Sequence, residues 1–432
     1  MAFEQFSEMS WFLLNSISLK RAESLTFEQR RTLQKKRLRN LLRHVLRNSG
    51  FYQKYYKEHG ITLEKIGTIE LRDLPPINKK LMMDNYDDFV CDGKLRRKYL
   101  ETFIGDHANC GKRYLNKYMI IHTSGSTGTI GIFAYGPRDW SILKALAVRR
   151  VSKAKINFFR KTKVSFIGAT DGMYAGISLV QDVPKSVFDL LRLPINSPLE
   201  EMIVKINEFQ PDILSGYSSG NFLLAREKLQ GNINIKPERI LCSADSLTLK
   251  MRRTINDAFG IEPINFYAAS ESICMGAECE KHEGIHLYDD WHCFEFIDEK
   301  MNPVESGRSG RLLLTNLYNY TQPLIRYAMN DEITLDNKTC ACGSSFPLIR
   351  NIAGRQEDML WFEKPNQEKE YIHPLMIVEF FVPGLERIQV IQKERNHLLI
   401  KAVISEKKEP VLPLIRKRMN EILVEKRLKD TV

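Results

Sequence analysis

Ile121-His122-Thr123-Ser124-Gly125-Ser126-Thr127-Gly128-Thr129-Ile130-Gly131 packs hydroxyls and glycines together with almost nothing bulky between them. Glycine opens backbone conformations closed to other residues and lets the chain approach a ligand closely, while freed N–H groups and Ser/Thr hydroxyls can point at phosphate oxygens. Strand-like residues flank the run, Tyr118 to Ile121 before it and Ile132 to Tyr135 after it. The pattern predicts a strand-loop-strand cradle for an anion. It is neither a Walker A loop, which needs a Gly-Lys-Ser/Thr ending, nor a dinucleotide fingerprint. Taken alone, such a run is equally compatible with an ordinary Ser/Gly turn, so its meaning depends on the rest of the chain.

A length of 432 residues suggests two or three domains. Apolar residues make up 43% and charged residues 27%, the balance of a soluble globular protein. Trp11-Phe12-Leu13-Leu14 is too short for a signal peptide, and no window approaches the roughly 18 apolar residues that span a bilayer. A cytoplasmic, disulfide-poor protein with no transmembrane segment is expected. The net charge of +11 is concentrated between Lys20 and Lys57, where Leu33, Leu38, Leu41, Leu42, Val45 and Leu46 recur at helical spacing among arginines and lysines. This is an amphipathic helix whose basic side reads as a solvated outer face. Contact with lipid or nucleic acid is the other reading, and no nucleic-acid-binding motif supports the latter.

Pro75-Pro76 breaks the opening helices, and a new helix is expected near Lys80. From about 118 to 330, strand-like runs (Lys163 to Ala169, Ile213 to Ser215, Arg239 to Ser243, Glu262 to Phe266) alternate with helix-like ones (Pro198 to Phe209, Ser219 to Gln230). Such alternation predicts α/β layering. Strands follow around Phe294 to Asp298 and Gly310 to Asn316. Past Gly354 a further unit holds strands near Arg387 to Gln392 and His397 to Ile404 and a helix from about Val411 to Glu425.

Three further segments carry chemistry. Tyr267-Ala268-Ala269-Ser270-Glu271 ends in a carboxylate suited to a magnesium ion bridging nucleotide phosphates. Arg326-Tyr327-Ala328-Met329-Asn330-Asp331 offers an acid suited to ribose hydroxyls, and Gly354-Arg355-Gln356-Glu357-Asp358 places an arginine and acids at an apparent domain boundary. With the loop at Thr123 to Gly128, this series resembles the motifs of the adenylate-forming superfamily, and most closely its phenylacetate-CoA ligase and capsular-synthesis (CapK-like) branch. Leu38 to Ile61, Leu74-Pro75-Pro76-Ile77-Asn78-Lys79 and Pro211-Asp212-Ile213-Leu214-Ser215-Gly216-Tyr217 are similar to further segments of that branch, so the resemblance covers nearly the whole chain.

The resemblance implies an α/β fold: a large multi-subdomain N-terminal region of layered sheets and helices (1–354) and a small mobile α+β C-terminal domain (355–432). It implies that Thr123, Ser124, Gly125, Ser126, Thr127 and Gly128 cradle the β- and γ-phosphates of ATP and that Glu271 holds Mg²⁺. Ser243, Ala244, Asp245, Phe266 and Tyr267 would border the adenine, with Ser270 beside them. Asp331 would bind the ribose hydroxyls, Arg355 would contact ribose or phosphate, and Glu357 falls where relatives carry a hinge residue, usually Asp. Thr123, Glu271 and Arg355 are the candidate catalytic residues. The acid pocket is expected along Gly168 to Tyr174, Ser215 to Ser218 and Ala268-Ala269. The activity implied is ATP-dependent formation of an acyl-adenylate, followed by transfer to CoA or to another acceptor in cell-surface polysaccharide synthesis. Relatives carry an adenylation lysine in a glycine-containing loop near the C-terminus, whereas this sequence reads Arg427-Leu428-Lys429-Asp430-Thr431-Val432 there. Truncation, service by another lysine, and impaired adenylation in a nucleotide-binding partner protein are the three readings of that difference.

Eight cysteines in a chain without a secretory signal read as thiols or metal ligands before disulfides. Cys279, His286, Cys340 and Cys342 would make a closed tetrahedral Cys₃His set, a structural zinc site of the kind the resembling branch carries. His282 is the alternative imidazole, and unliganded thiols are the alternative reading.

Overall fold

The computed structural model describes residues 2–123, 130–149, 160–170, 172–195, 197, 199–355, 360–363, 369–372, 382–404, 408–426 and 428. Two helices, α1 (Ala2–Ala22) and α2 (Phe27–Asn48), open the chain. α2 starts on a reciprocal cap, in which Thr26 Oγ1 accepts from Gln29 N (3.3 Å) and Gln29 Oε1 accepts from Thr26 N (2.9 Å). The cap satisfies two N–H groups that the helix leaves without partners. Leu38, Leu41, Leu42 and Val45 are buried, as their spacing requires.

The basic side of α2 is not all solvated. Arg31, Lys36, Arg39, Arg43 and Arg47 are exposed, but Arg30 is fully buried and donates to Asp289 at 2.6 Å and to Ser345 Oγ at 2.7 Å. Arg37 lies over the Trp291 ring at 3.4 Å. Steps of four and three residues put Arg30, Gln34 and Arg37 on one stripe beside the buried leucines. There the carbonyls of Asp289, Asp290 and His292 receive Gln34 and Arg37.

The strands, in chain order, are β1 (Met119–His122), β2 (Ile132–Tyr135), β3 (Thr162–Gly168), β4 (Phe188–Pro194), β5 (Ile213–Tyr217), β6 (Arg239–Ser243), β7 (Ile264–Ala269), β8 (Ser272–Glu278), β9 (Ile285–Leu287), β10 (His292–Ile297), β11 (Ser309–Asn316), β12 (Tyr327–Asp336) and β13 (Leu348–Arg355). β1 and β2 pair antiparallel by themselves. The rest form an 11-stranded sheet in the order β10-β11-β12-β13-β9-β8-β7-β6-β5-β3-β4. From β4 to β7 neighbouring strands run parallel, and from β7 through β8 to β9 they run antiparallel. Helices Leu199–Phe209, Ser218–Leu229 and Leu249–Phe259 make the crossovers of the parallel half. Their Met202, Ile206, Leu224 and Ile255 close a core with Ile167, Leu214 and Ile240 of the strands. The apolar run at Val164 to Ile167 follows from this, because parallel strands covered on both faces need no polar side.

Five strands of this sheet, β4, β8, β9, β12 and β13, escape the sequence reading. β4 lies at the sheet edge and is mostly half-buried, with an exposed Arg192 in its middle. β8 is buried throughout, but Ser272-Ile273-Cys274-Met275-Gly276-Ala277-Glu278 carries neither alternation nor many β-branched residues. β7 starts two residues later than Glu262 and ends at Ala269, so Ser270 and Glu271 form the turn of a β7–β8 hairpin.

Contacts divide the chain into two compact units, Met1–Met329 with Ile333–Asn351, and Asn330–Glu332 with Ile352–Val432. The second holds the antiparallel pairs β14 (Leu360–Glu363) with β15 (Lys369–Ile372) and β16 (Leu385–Glu394) with β17 (His397–Ile404), and a helix Lys408–Glu425. Phe362, Ile372, Val411, Ile415, Met419 and Ile422 form its own core.

In the parallel half one position allows no side chain. Gly216 pairs with Ile167 across β5 and β3, its φ is +133°, and a Cβ there would lie 2.0 Å from the Ile167 carbonyl oxygen. Backbone of neighbouring strands cannot yield by that amount without breaking the ladder. Gly216→Ala is expected to cost on the order of 3–5 kcal/mol. Urea unfolding checks it, and a loss below about 1 kcal/mol would contradict the packing described.

Candidate functional site

In a sheet of this kind, ligands settle outside the carboxyl ends of the parallel strands, where crossover loops part. Several of the residues singled out in the sequence lie there. Gly168 closes β3, Tyr217 closes β5, Ser243 closes β6, and Ser270-Glu271 follow β7. The small β1–β2 pair joins the same edge through His122, whose N–H donates to Met173 O (3.0 Å) and whose Nε2 accepts from Met173 N (3.3 Å). His122 also packs against Tyr174, ring centroids 4.6 Å apart.

Thr123 begins the hydroxyl-rich loop and clasps its far end. Its N–H donates to Gly131 O at 3.0 Å, and its Oγ1 accepts from Gly131 N at 2.8 Å. Ser124, Gly125, Ser126, Thr127 and Gly128, between them, lie outside the described residues, as do Asp171 and Glu357.

Asp245 caps a helix. Its carboxylate accepts from the N–H groups of Ser218 (2.6 Å) and Ser219 (3.1 Å) at the start of Ser218–Leu229, while Ser218 Oγ donates to Asp245 O (2.9 Å). Burial pushes its pKa above the ordinary carboxylate value, opposed by these hydrogen bonds. Ala244 before it is left-handed, φ +72°. Ser243 Oγ lies 3.4 Å from Gly216 O. Phe266 is half-buried and Tyr267 buried on β7.

Glu271 sits in the turn with 6% of its surface exposed, braced from several sides. Tyr327 Oη donates toward its Oε1 at 3.4 Å, and Tyr135 Oη donates to Ser270 O at 2.9 Å. On the other side, Ser272 Oγ lies 2.8 Å from His292 Nε2 and 2.9 Å from Tyr318 Oη. His292 Nδ1 is 2.9 Å from Tyr288 O, a group that can only accept, so Nδ1 carries the proton and Nε2 accepts from Ser272. Burial pushes the His292 pKa down to about 4, which keeps the ring neutral. Sequence reading missed Tyr135, Ser272, Tyr318 and Tyr327 as supports. The available signal was a polar hydrogen-bonding group inside otherwise apolar buried segments, which demands a partner.

Tyr327 is itself fixed by the Pro75-Pro76 turn. Ile77 bridges it in parallel, with Ile77 N donating to Arg326 O (3.1 Å) and Ala328 N to Ile77 O (2.8 Å). Arg326 has φ +50°, pairs with Glu295 at 3.0 Å and donates to the carbonyls of Arg72 and Leu74. Asp331 is buried on β12. Arg355 is the last residue of β13, and its side chain is outside what is described.

Away from that edge, Cys279, His286, Cys340 and Cys342 converge, with their ligand atoms all within 4.8 Å of one another. Cys279 Sγ and Cys340 Sγ are 3.5 Å apart, and Cys342 Sγ and His286 Nε2 are 3.5 Å apart. Bonds of ~2.3 Å to sulfur and ~2.0 Å to nitrogen in a tetrahedron give edges of about 3.5–3.8 Å, so donor type and spacing suit zinc. His282 instead faces Glu278, at 3.3 Å.

No protein-family model matches the sequence. The chain is 25% identical to a phenylacetate-coenzyme A ligase of Thermus thermophilus, covering 78% of this chain and 73% of that protein. It is also 25% identical to protein CapK of Staphylococcus aureus, covering 86% and 78%. Among solved structures, a 2-hydroxyisobutyryl-CoA ligase in its postadenylation state, in complex with 2-HIB-AMP, superposes with a TM-score of 0.72 at 18% identity over 95% of this chain and 86% of that one. The same ligase in an open conformation with 2-HIB-AMP and CoA gives 0.64.

The bracing of the turn carries a pH signature. The folded pKa of His292 lies below its ordinary 6.5, so between about pH 6.5 and 4 the unfolded chain binds a proton that the folded chain refuses. The stability contributed by the neutral ring is complete above that window and is lost as pH falls through it. Unfolding free energies of the protein and of His292→Gln should therefore converge by on the order of 2–3 kcal/mol between pH 7 and pH 4. A gap independent of pH would refute the assignment.

Proposed function

We propose that the chain belongs to the adenylate-forming superfamily, in its phenylacetate-CoA ligase and CapK-like branch, on its 25% identity to a protein of each kind, and that it activates a carboxylic acid with ATP and passes the acyl group to CoA. The observation that carries this reading is the braced Ser270-Glu271 turn at the carboxyl edge of the parallel strands, the edge to which His122 ties the clasped Thr123 loop. A buried carboxylate there is a hard oxygen donor fit for Mg²⁺ between nucleotide phosphates.

In the first half-reaction a carboxylate oxygen attacks the α-phosphorus of ATP, the bond to the bridging oxygen breaks, and pyrophosphate leaves with the electron pair. In the second, the CoA sulfur, having lost its proton, attacks the acyl carbon and AMP leaves. The protein's share is alignment and charge neutralisation. Residues 123–128 would receive the β- and γ-phosphates, and Glu271 would hold the metal that offsets their charge. Ser243 to Asp245 with Phe266-Tyr267 would border the base, Asp331 the ribose, and Arg355 the ribose or phosphate. Gly168 to Tyr174, Ser215 to Ser218 and Ala268-Ala269 would line the acid pocket, with the hinge of the 355–432 domain near Glu357. Transfer to an amine or sugar-linked acceptor in cell-surface polysaccharide synthesis is the alternative second half-reaction, favoured by the likeness to CapK. At Cys279, His286, Cys340 and Cys342, zinc with four protein ligands would have no position open for water and would act in folding alone.

Acid-dependent exchange of pyrophosphate into ATP, measured with Mg²⁺ and a panel of aromatic, fatty and sugar acids, tests the reading. Activity with at least one acid is expected, reduced at least about 100-fold by Glu271→Gln. Silence with every acid, in a protein that still binds ATP, would replace the enzyme by a nucleotide-binding partner protein. Metal analysis should give about one zinc per chain, lost in a Cys279→Ser, Cys342→Ser double variant together with thermal stability. Metal-free protein of unchanged stability would sink the zinc assignment.

A further inference from the structure

We propose that the outer face of α1, with the adjoining cationic stripe of α2, docks on an anionic lipid bilayer. α1 leaves Trp11, Leu14 and Ile17 exposed at 40%, 66% and 53%. Its other side is covered: Leu19 and Ala22 are buried, and Asn15 reaches Ser141 of helix Pro137–Val148 at 3.3 Å. Leu14, Ile17 and Arg21 are three and four residues apart, so the apolar stripe runs into an exposed cation on the same side of the helix. Beside it lies a concavity of about 280 Å³ lined by Trp11, Leu14, Asn15, Arg138, Ile142 and Trp291.

The rim of this patch is positive. The exposed Arg138 guanidinium stands 5.6 Å from the Trp11 ring and 5.1 Å from the Tyr320 ring. Arg37 covers Trp291, and His44 packs on Tyr320 at 4.9 Å. Next outward from Arg37 and His44 around α2 come Lys36, Arg43 and Arg47, separated by seven and four residues and all exposed. Among the described residues, none of Arg21, Lys36, Arg43, Arg47 or Arg138 joins an ion pair. A helix lying in a membrane interface needs this combination: a tryptophan and aliphatic side chains for the acyl boundary, and cations for the headgroups. Nucleic acid would satisfy the cations but offer no cover for Leu14 and Ile17. A second copy of the chain would oppose the two cationic rims across a self-complementary contact. An anionic bilayer satisfies both parts, and the chain's charge of +11 favours the encounter.

Flotation of the full chain with vesicles of phosphatidylcholine alone, or with 30% phosphatidylglycerol, tests this. Binding is expected to the anionic vesicles only, to fall steeply as salt is raised, and to drop about 100-fold in Lys36→Glu, Arg43→Glu, Arg47→Glu. Trp11→Ser with Leu14→Ser should remove it too, while the melting temperature and nucleotide binding stay unchanged. Absence of flotation with anionic vesicles overturns the proposal. So does binding that survives both sets of changes. A double variant that turns a dimer into a monomer, without any vesicle binding by the parent, would reassign the face to self-association.

Discussion

β7 is bonded in parallel to β6 on one side and antiparallel to β8 on the other, and much of the molecule's arrangement follows from that single change of direction. A parallel neighbour requires a long crossover, whereas an antiparallel one needs only a tight hairpin. The chain therefore leaves the parallel half through Ser270 and Glu271, at the edge where the crossover loops part. A carboxylate placed there is fixed by backbone pairing on both sides of it. Tyr135, Tyr318, Tyr327 and His292 then hold the turn from outside the hairpin. Their polar atoms find partners in Glu271, Ser272 and the carbonyls of Ser270 and Tyr288, which is what burial demands of them.

A second set of buried polar contacts joins the opening helices to this frame. Arg30 pairs with Asp289, and Arg149 pairs with Asp290 at 2.8 Å and with Glu23 of the α1–α2 connection at 2.5 Å. Arg30 also reaches Ser345 and lies 4.4 Å from the Phe346 ring, in the loop just after Cys342. Loss of one partner from such a pair leaves a buried charge, at about 3–5 kcal/mol. The helices, the 288–292 turn and the cysteine loop therefore stand or fall together.

Much of this was legible in the sequence where the physical signal is local. Ile132–Tyr135, Arg239–Ser243 and His397–Ile404 are strands to the residue, because runs of apolar residues between turn-formers leave little choice. Donor type and number single out the four members of the cysteine cluster in the sequence, and their side chains converge. What stayed hidden depends on distant partners. Nothing in α2 distinguishes Arg30 from Arg31, since only the position of Asp289 makes one a buried ion and the other a solvated one. β8 reads as no particular element because its strand character comes from being enclosed by β7 and β9. The phenols that brace Glu271 come from three separate segments, so no motif contains them.

The pairing of Arg30 with Asp289 spans 259 positions, and this sets an order in time. On a ribosome adding roughly 5–20 residues per second, α2 waits about 10–50 s for its carboxylate to be made. β3 to β7 and their crossover helices form a contiguous segment that is fully synthesised before Asp289. For that period α2 stands with its leucines uncovered and Arg30 unneutralised. Such a helix gains from a chaperone or a surface to rest on, because it leaves the tunnel long before its partner is made.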